Sequence, residues 1–200
     1  MTIQTRSAPD HDALYQIAEQ QAGYFTAAQA SLAGFTRPLI AYHVHKGLFL
    51  RVKHGIYRLA RFPEVPQADL FIALLEVGPH AVISHDSALT LYNLSDSLLG
   101  AIHLTVPRTS SRRHPGLRLH TRQLSRDEVT QRGGLPVTTV TRTLADLISA
   151  HWPEEQIFHA IQESVQRGLV TRKGLLEYAE RRSGQVDRLM RSALPAEGER

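Results

Sequence analysis

The chain has no cysteine in 200 residues, which removes disulfides and every thiolate metal site and suits a reducing compartment. It has no long apolar run either. The longest clean one, residues 70–75, falls far short of the roughly 20 residues a bilayer-spanning helix needs. The opening MTIQTRSAPDHD holds no apolar segment of the signal-peptide kind. A cytoplasmic protein without membrane contact is expected. Lysine is scarce, at Lys46, Lys53 and Lys173. The most informative absence is acid. Residues 20–63 contain no Asp or Glu, yet carry Arg37, Lys46, Arg51, Lys53, Arg58 and Arg61. Residues 97–126 are again acid-free and carry Arg108, Arg112, Arg113, Arg118, Arg122 and Arg126. The whole chain is only +4, so everything outside those two windows is net acidic. Such segregation implies a surface facing a polyanion, most simply nucleic acid.

Enzyme motifs are missing too. There is no G-x-S-x-G, Walker loop, G-x-G-x-x-G or H-E-x-x-H. Ser84, His85 and Asp86 are adjacent, so on a helix start they diverge and cannot form a triad. His43 and His45, two apart on a helix, point about 200° from each other. A metal-dependent nuclease of the common type places an acid two residues before a lysine, and those positions hold Val44, Arg51 and Thr171. Asp10 and Asp12 have D-x-D spacing, but no Gly-Ser turn of the nucleotidyltransferase kind precedes them. A binding protein is expected, with no catalytic residue, no metal and no cofactor. No internal repeat is visible.

What is present reads as helix, helix, tight turn, helix in the first 47 residues. Asp10 caps a helix that Gly23 ends. Thr26 and Gln29 have capping-box spacing, and Gly34 stands where a helix C-terminus favours a left-handed residue. Thr36 caps the third helix, Pro38 fits its first turn and Gly47 closes it. Ile40 and Val44 point inward, whereas Tyr42, His45 and Lys46 point outward. These are helix-turn-helix proportions. GLFLRVKHGIYRLARF, residues 47–62, then reads as a hairpin turning at His54-Gly55. Its simplest register pairs Lys53 with Ile56, Val52 with Tyr57, Arg51 with Arg58 and Leu50 with Leu59. Leu50, Val52, Tyr57 and Leu59 would form the apolar face, and Arg51, Lys53 and Arg58 a basic one. Two facing arginines repel, a cost that bound phosphate would relieve. Helix-turn-helix plus basic hairpin is a winged helix.

The two prolines of RFPEVP suggest a linker near residue 65. Beyond it, residues 68–78 and 84–94 read as helices, 81–83, 101–107, 117–124 and 135–140 as strand segments, and 108–116 as a loop. Residues 141–150, 153–168 and 171–182 read as helices, with Arg142 and Asp146 spaced to pair at i, i+4. The expected fold class is α+β, with a winged helix-turn-helix over 1–65 and a mixed α/β domain over 66–200 that ends in helices.

Residues 23–63, GYFTAAQASLAGFTRPLIAYHVHKGLFLRVKHGIYRLARFP, resemble the N-terminal winged helix of the AbiEi family of type IV antitoxins. AVISHDSALTLYNL and GLPVTTVTRTLADLI resemble that family's C-terminal domain. The resemblance spans residues 11–150 in order. It implies a sequence-specific repressor of its own toxin–antitoxin operon, bound to double-stranded promoter DNA at repeated sites. It also implies that the second domain helps to neutralise a nucleotidyltransferase-like toxin. By position, Thr36, Arg37, Tyr42, His45 and Lys46 fall on the recognition helix, and Arg51, Lys53, His54 and Arg58 on the wing. Gly55-Ile56-Tyr57 stands where the family has a GVY-like end. Arg108, Arg112, Arg113 and Arg118 form a second basic cluster, for flanking DNA, RNA or an acidic partner. The alternatives are a nucleic-acid-processing enzyme, a transcription regulator without antitoxin activity, and a module that meets acidic proteins.

Overall fold

A computed structural model describes residues 8–95, 100–107, 114–182 and 184–194. The chain divides into two compact units, Met1–Pro79 and His80–Arg200. The expected boundary at 65/66 therefore moves to 79/80. The reason is a helix that packs back onto the first unit.

In that unit α1 (His11–Glu19), β1 (Tyr24–Thr26), α2 (Ala27–Leu32), α3 (Arg37–His45), β2 (Phe49–Lys53), β3 (Ile56–Leu59) and α4 (Ala68–Val77) follow in order. The caps form as their residue types dictate. The Ala13 amide donates to Asp10 Oδ1 at 2.9 Å, and Thr26 with Gln29 completes a reciprocal capping box. Gly34, with φ of 83°, turns the chain between α2 and α3. At Gly23, φ is 84° and a β-carbon would fall within 2.7 Å of the Phe62 ring, so only glycine fits.

The three strands order β1-β3-β2, all antiparallel. One face of this sheet meets the core of the helices, where Leu14, Ala18, Phe25, Ala30, Phe35, Ile40 and Phe49 pack with Tyr57 and Leu59 at the margin. Tyr24 and Ile56, paired to Arg58 and Thr26, alternate onto the other face. There α4 packs against β1 and β3 and buries Leu70, Phe71 and Ala73. A helix covering both strands cannot belong to a separate domain.

The expected hairpin register is corrected by one bulge. Lys53 does face Ile56, but the ladder slips between Arg51 and Lys53. Val52 is the extra residue, so Arg51 opposes Tyr57, Leu50 opposes Arg58 and Phe49 opposes Leu59. One slipped residue reverses the faces of β2. Phe49 enters the core, while Leu50 and Val52 are 40% and 41% exposed. Arg51 and Arg58 do not face each other, so the anticipated repulsion is absent.

The second unit holds β4 (Val82–Ile83), α5 (His85–Leu91), β5 (Ile102–Val106), β6 (Leu117–Thr121), a 3-10 turn (Arg126–Glu128), β7 (Val129–Arg132) and β8 (Leu135–Thr138). Then come α6 (Val140–Ser149), α7 (Glu154–Gln166), α8 (Arg172–Ala179) and α9 (Gly184–Ser192). Its five strands order β6-β5-β4-β8-β7, parallel at β5–β6 and β4–β8 and antiparallel elsewhere. α6 is nearly all buried and meets α5, α7, α8 and α9. The fold is α+β, with a winged helix first and a helix-ended mixed unit after it. Short β1 and β7 escaped the sequence reading because neither shows a sustained alternation.

Candidate nucleic-acid interface

α2, the four-residue turn from Ala33 to Thr36 and α3 make the helix-turn-helix. Thr36 is the N-cap of α3, accepting from the Leu39 amide at 3.4 Å. Ile40 and His43 are buried. His43 stacks on Phe49, with centroids 4.8 Å apart, and its Nδ1 has no hydrogen-bond partner among the described residues. Burial, with His11 adding to it, pushes its pKa below the usual histidine value. The opposite side of α3 is open. Arg37, Tyr42, His45 and Lys46 are exposed there, with Tyr42 53% exposed and the Lys46 ammonium 5.7 Å from the Tyr42 ring centroid. That is a helix face of cations, an aromatic hydroxyl and an imidazole, able to donate to phosphates and base edges.

The wing residues separate into two groups. Arg51 and His54 are exposed, with Arg51 Nη2 and His54 Nδ1 3.4 Å apart. Lys53 turns the other way and forms an ion pair with Glu76 of α4. Arg58 is only 8% exposed and its guanidinium lies 3.2 Å from the Glu64 carboxylate. Arg58 therefore does not stand on the open wing face where the simple register put it. The bulge and the return of α4 together account for this. Neither Glu64 nor Glu76 lies in the acid-free window, so the window gave no sign of them.

Of the second basic cluster, Arg108, Arg112 and Arg113 lie outside the described residues. Arg118 is exposed on β6, and its charge acts on Asp86, His103 and His120. The sequence reading missed this constellation. Among the described residues His85, His103 and His120 come together, each offering a ring nitrogen within 4.8 Å of the others. β5 and β6 run parallel with His103 beside Arg118 and Thr105 beside His120, so these four share a face. α5 packs on β5 and brings His85, whose ring stacks on His120 at 3.5 Å. Burial and the neighbouring imidazoles hold His85 down to about 3 and His120 to about 4, so both are neutral at pH 7. Burial pushes Asp86 up to about 6 against the pull of Arg118.

Arg142 and Asp146 do pair, through bonds of 2.9 Å from both Nε and Nη2. Arg142 also reaches Glu128 at 3.0 Å, and Glu128 takes Tyr178 Oη at 2.6 Å and an ion pair with Arg182. This network joins the 3-10 turn, α6 and α8.

Three helices, a three-stranded sheet and a basic hairpin following the third helix define a winged helix-turn-helix. Residues 12–60, from α1 through β3, match the family model described as transcriptional regulator, AbiEi antitoxin. The match covers the winged helix alone, and over that segment the chain is similar to AbiEi antitoxin transcriptional regulators. No curated protein matches the chain. Among the described residues no helix is long and apolar enough to cross a membrane.

Proposed function

We propose that the first unit binds double-stranded DNA at the promoter of the protein's own toxin–antitoxin operon and represses it. α3 enters the major groove with Arg37, Tyr42, His45 and Lys46, and the hairpin sets Arg51 and His54 on the flanking backbone. The observation that carries this reading is the open side of α3, where every cation named is exposed and no acid interrupts residues 20–63. Thr36 shapes the start of the helix. Lys53 and Arg58, tied to Glu76 and Glu64, hold the wing in place.

The antitoxin half rests on the family. The second unit would counter a nucleotidyltransferase-like toxin in the type IV manner, by opposing the toxin's effect. Two measurements test the pair of claims. Footprinting on DNA upstream of the chain's own gene should protect discrete, repeated sites. Co-expression with the neighbouring gene's product should relieve that product's toxicity, and relief should persist when Arg37 and Arg51 are both alanine. An unprotected promoter would remove the repressor claim, and unrelieved toxicity the antitoxin claim.

A further inference from the structure

The second unit holds a cluster that the DNA-binding reading does not use. We propose that His85, His103 and His120 form a three-histidine site for a divalent cation of the zinc type, with Asp86 orienting His103. The inference stands on the geometry of the second unit alone and is independent of the operon reading.

The distances suit such an ion. Two nitrogens bound tetrahedrally to zinc at about 2.0–2.1 Å lie roughly 3.3–3.4 Å apart. His103 Nδ1 and His120 Nε2 are 3.3 Å apart. The widest separation in the cluster is 4.8 Å, and because His85 and His120 stack with their planes 12° apart, one of these rings must turn out of the stack to aim its in-plane lone pair at a shared ion. Two of the three ring nitrogens left over also have a neighbour of use. His85 Nδ1 lies 3.0 Å from Ser84 Oγ, and donation from that N–H leaves Nε2 with its lone pair for the metal. Ser84 Oγ is itself fixed by the Thr105 hydroxyl at 2.8 Å. His103 Nε2 lies 3.9 Å from Asp86 Oδ2, beyond hydrogen-bond length but near enough for the carboxylate to orient that imidazole once an ion fixes the ring. The other oxygen, Asp86 Oδ1, is buried without a hydrogen-bond partner among the described residues. A cation beside it would offset that cost.

Two further features fit a site. His85 has φ of 52°, a left-handed conformation that a residue with a β-carbon rarely takes and that tends to gather at functional positions. His85 and His120 also line a cleft of about 350 Å³, together with Thr121, Arg122 and Asp146. Three imidazole ligands leave a fourth position for water or an anion from that cleft. Imidazole ligands without thiolate favour zinc, cobalt, nickel or copper over magnesium or calcium.

The test uses the full chain, stripped with chelator and titrated with Co²⁺ under visible absorption, then challenged with Zn²⁺. The expected result is one equivalent bound, with d–d bands of a low-coordinate site that Zn²⁺ abolishes. His120→Ala and His103→Gln should each weaken Co²⁺ binding more than tenfold, and Asp86→Asn by about 10- to 100-fold, as loss of an orienting carboxylate does. His159→Ala, an exposed histidine on α7, should bind as the parent does. Circular dichroism checks that each variant is folded, and Zn²⁺ should raise the melting temperature of the parent but not of His120→Ala. Absence of stoichiometric binding by the parent overturns the proposal, and so does binding unchanged in folded His120→Ala and His103→Gln.

Discussion

Glu128 is 4% exposed, and its carboxylate receives the Ser125 amide, the Tyr178 hydroxyl, Arg142 and Arg182. Burial alone would raise its pKa. The Tyr178, Ser125 and Arg142 contacts outweigh it and hold Glu128 at about 2, against 4.5 for an ordinary glutamate. Because the folded value is the lower one, this stabilisation is complete above about pH 4.5 and is lost as pH falls towards 2. Urea unfolding across that window should show stability declining with acid, and Glu128→Gln should flatten the decline. At neutral pH Glu128→Ala leaves Arg142 paired with Asp146 alone and opens a gap beneath it, and about 3 kcal/mol should be lost. Arg51 and Arg58 make a second contrast. Arg51→Ala removes an exposed cation and should weaken DNA binding with stability unchanged. Arg58→Ala removes a buried stem and should lower stability by about 1 kcal/mol. Its effect on DNA should be the smaller of the two, as anisotropy titration and thermal melting of both variants will show.

The first unit's elements depend on local signals of unequal strength. Thr26→Ala breaks the capping box of α2 and should cost about 1 kcal/mol in denaturant unfolding. Gly23→Ala should cost more, about 2 kcal/mol or above, because a positive φ and the Phe62 ring both oppose a β-carbon. Signals of this kind made much of the unit legible in the sequence. Asp10, Thr26, Thr36 and the glycines at 34 and 47 mark helix ends within a residue or two, Gly23 stands four residues past the end of α1, and His54-Gly55 marks the turn. The register of the hairpin was not legible. A bulge at Val52 leaves no compositional trace, since Phe49 and Leu50 are equally apolar and either could face inward. Nor could the sequence show that Glu64 and Glu76 return to meet Arg58 and Lys53. Those are contacts between elements, and spacing along one element does not encode them. The histidine cluster was hidden for the same reason. Its members sit on α5, β5 and β6, and only the parallel register of the two strands brings them together.

Across the whole molecule the charge distribution matters more than the net charge. A total of +4 would give weak long-range attraction if it were spread evenly. Clearing acids from residues 20–63 concentrates the positive potential on the helix-turn-helix and the hairpin, where a phosphate backbone can use it. The similarity of residues 12–60 to AbiEi antitoxin transcriptional regulators supports the proposal of a transcriptional role for that surface. The most direct test is fluorescence anisotropy with a duplex from the chain's own promoter, titrated at several salt concentrations for the parent and for Arg37→Ala with Arg51→Ala. Affinity of the parent should fall steeply with salt. In the double variant the slope of log K against log salt should shrink by about 2, at roughly 0.9 for each phosphate that is no longer neutralised. An unchanged slope and affinity in the double variant would contradict the assignment of α3 and the wing as the DNA-binding surface.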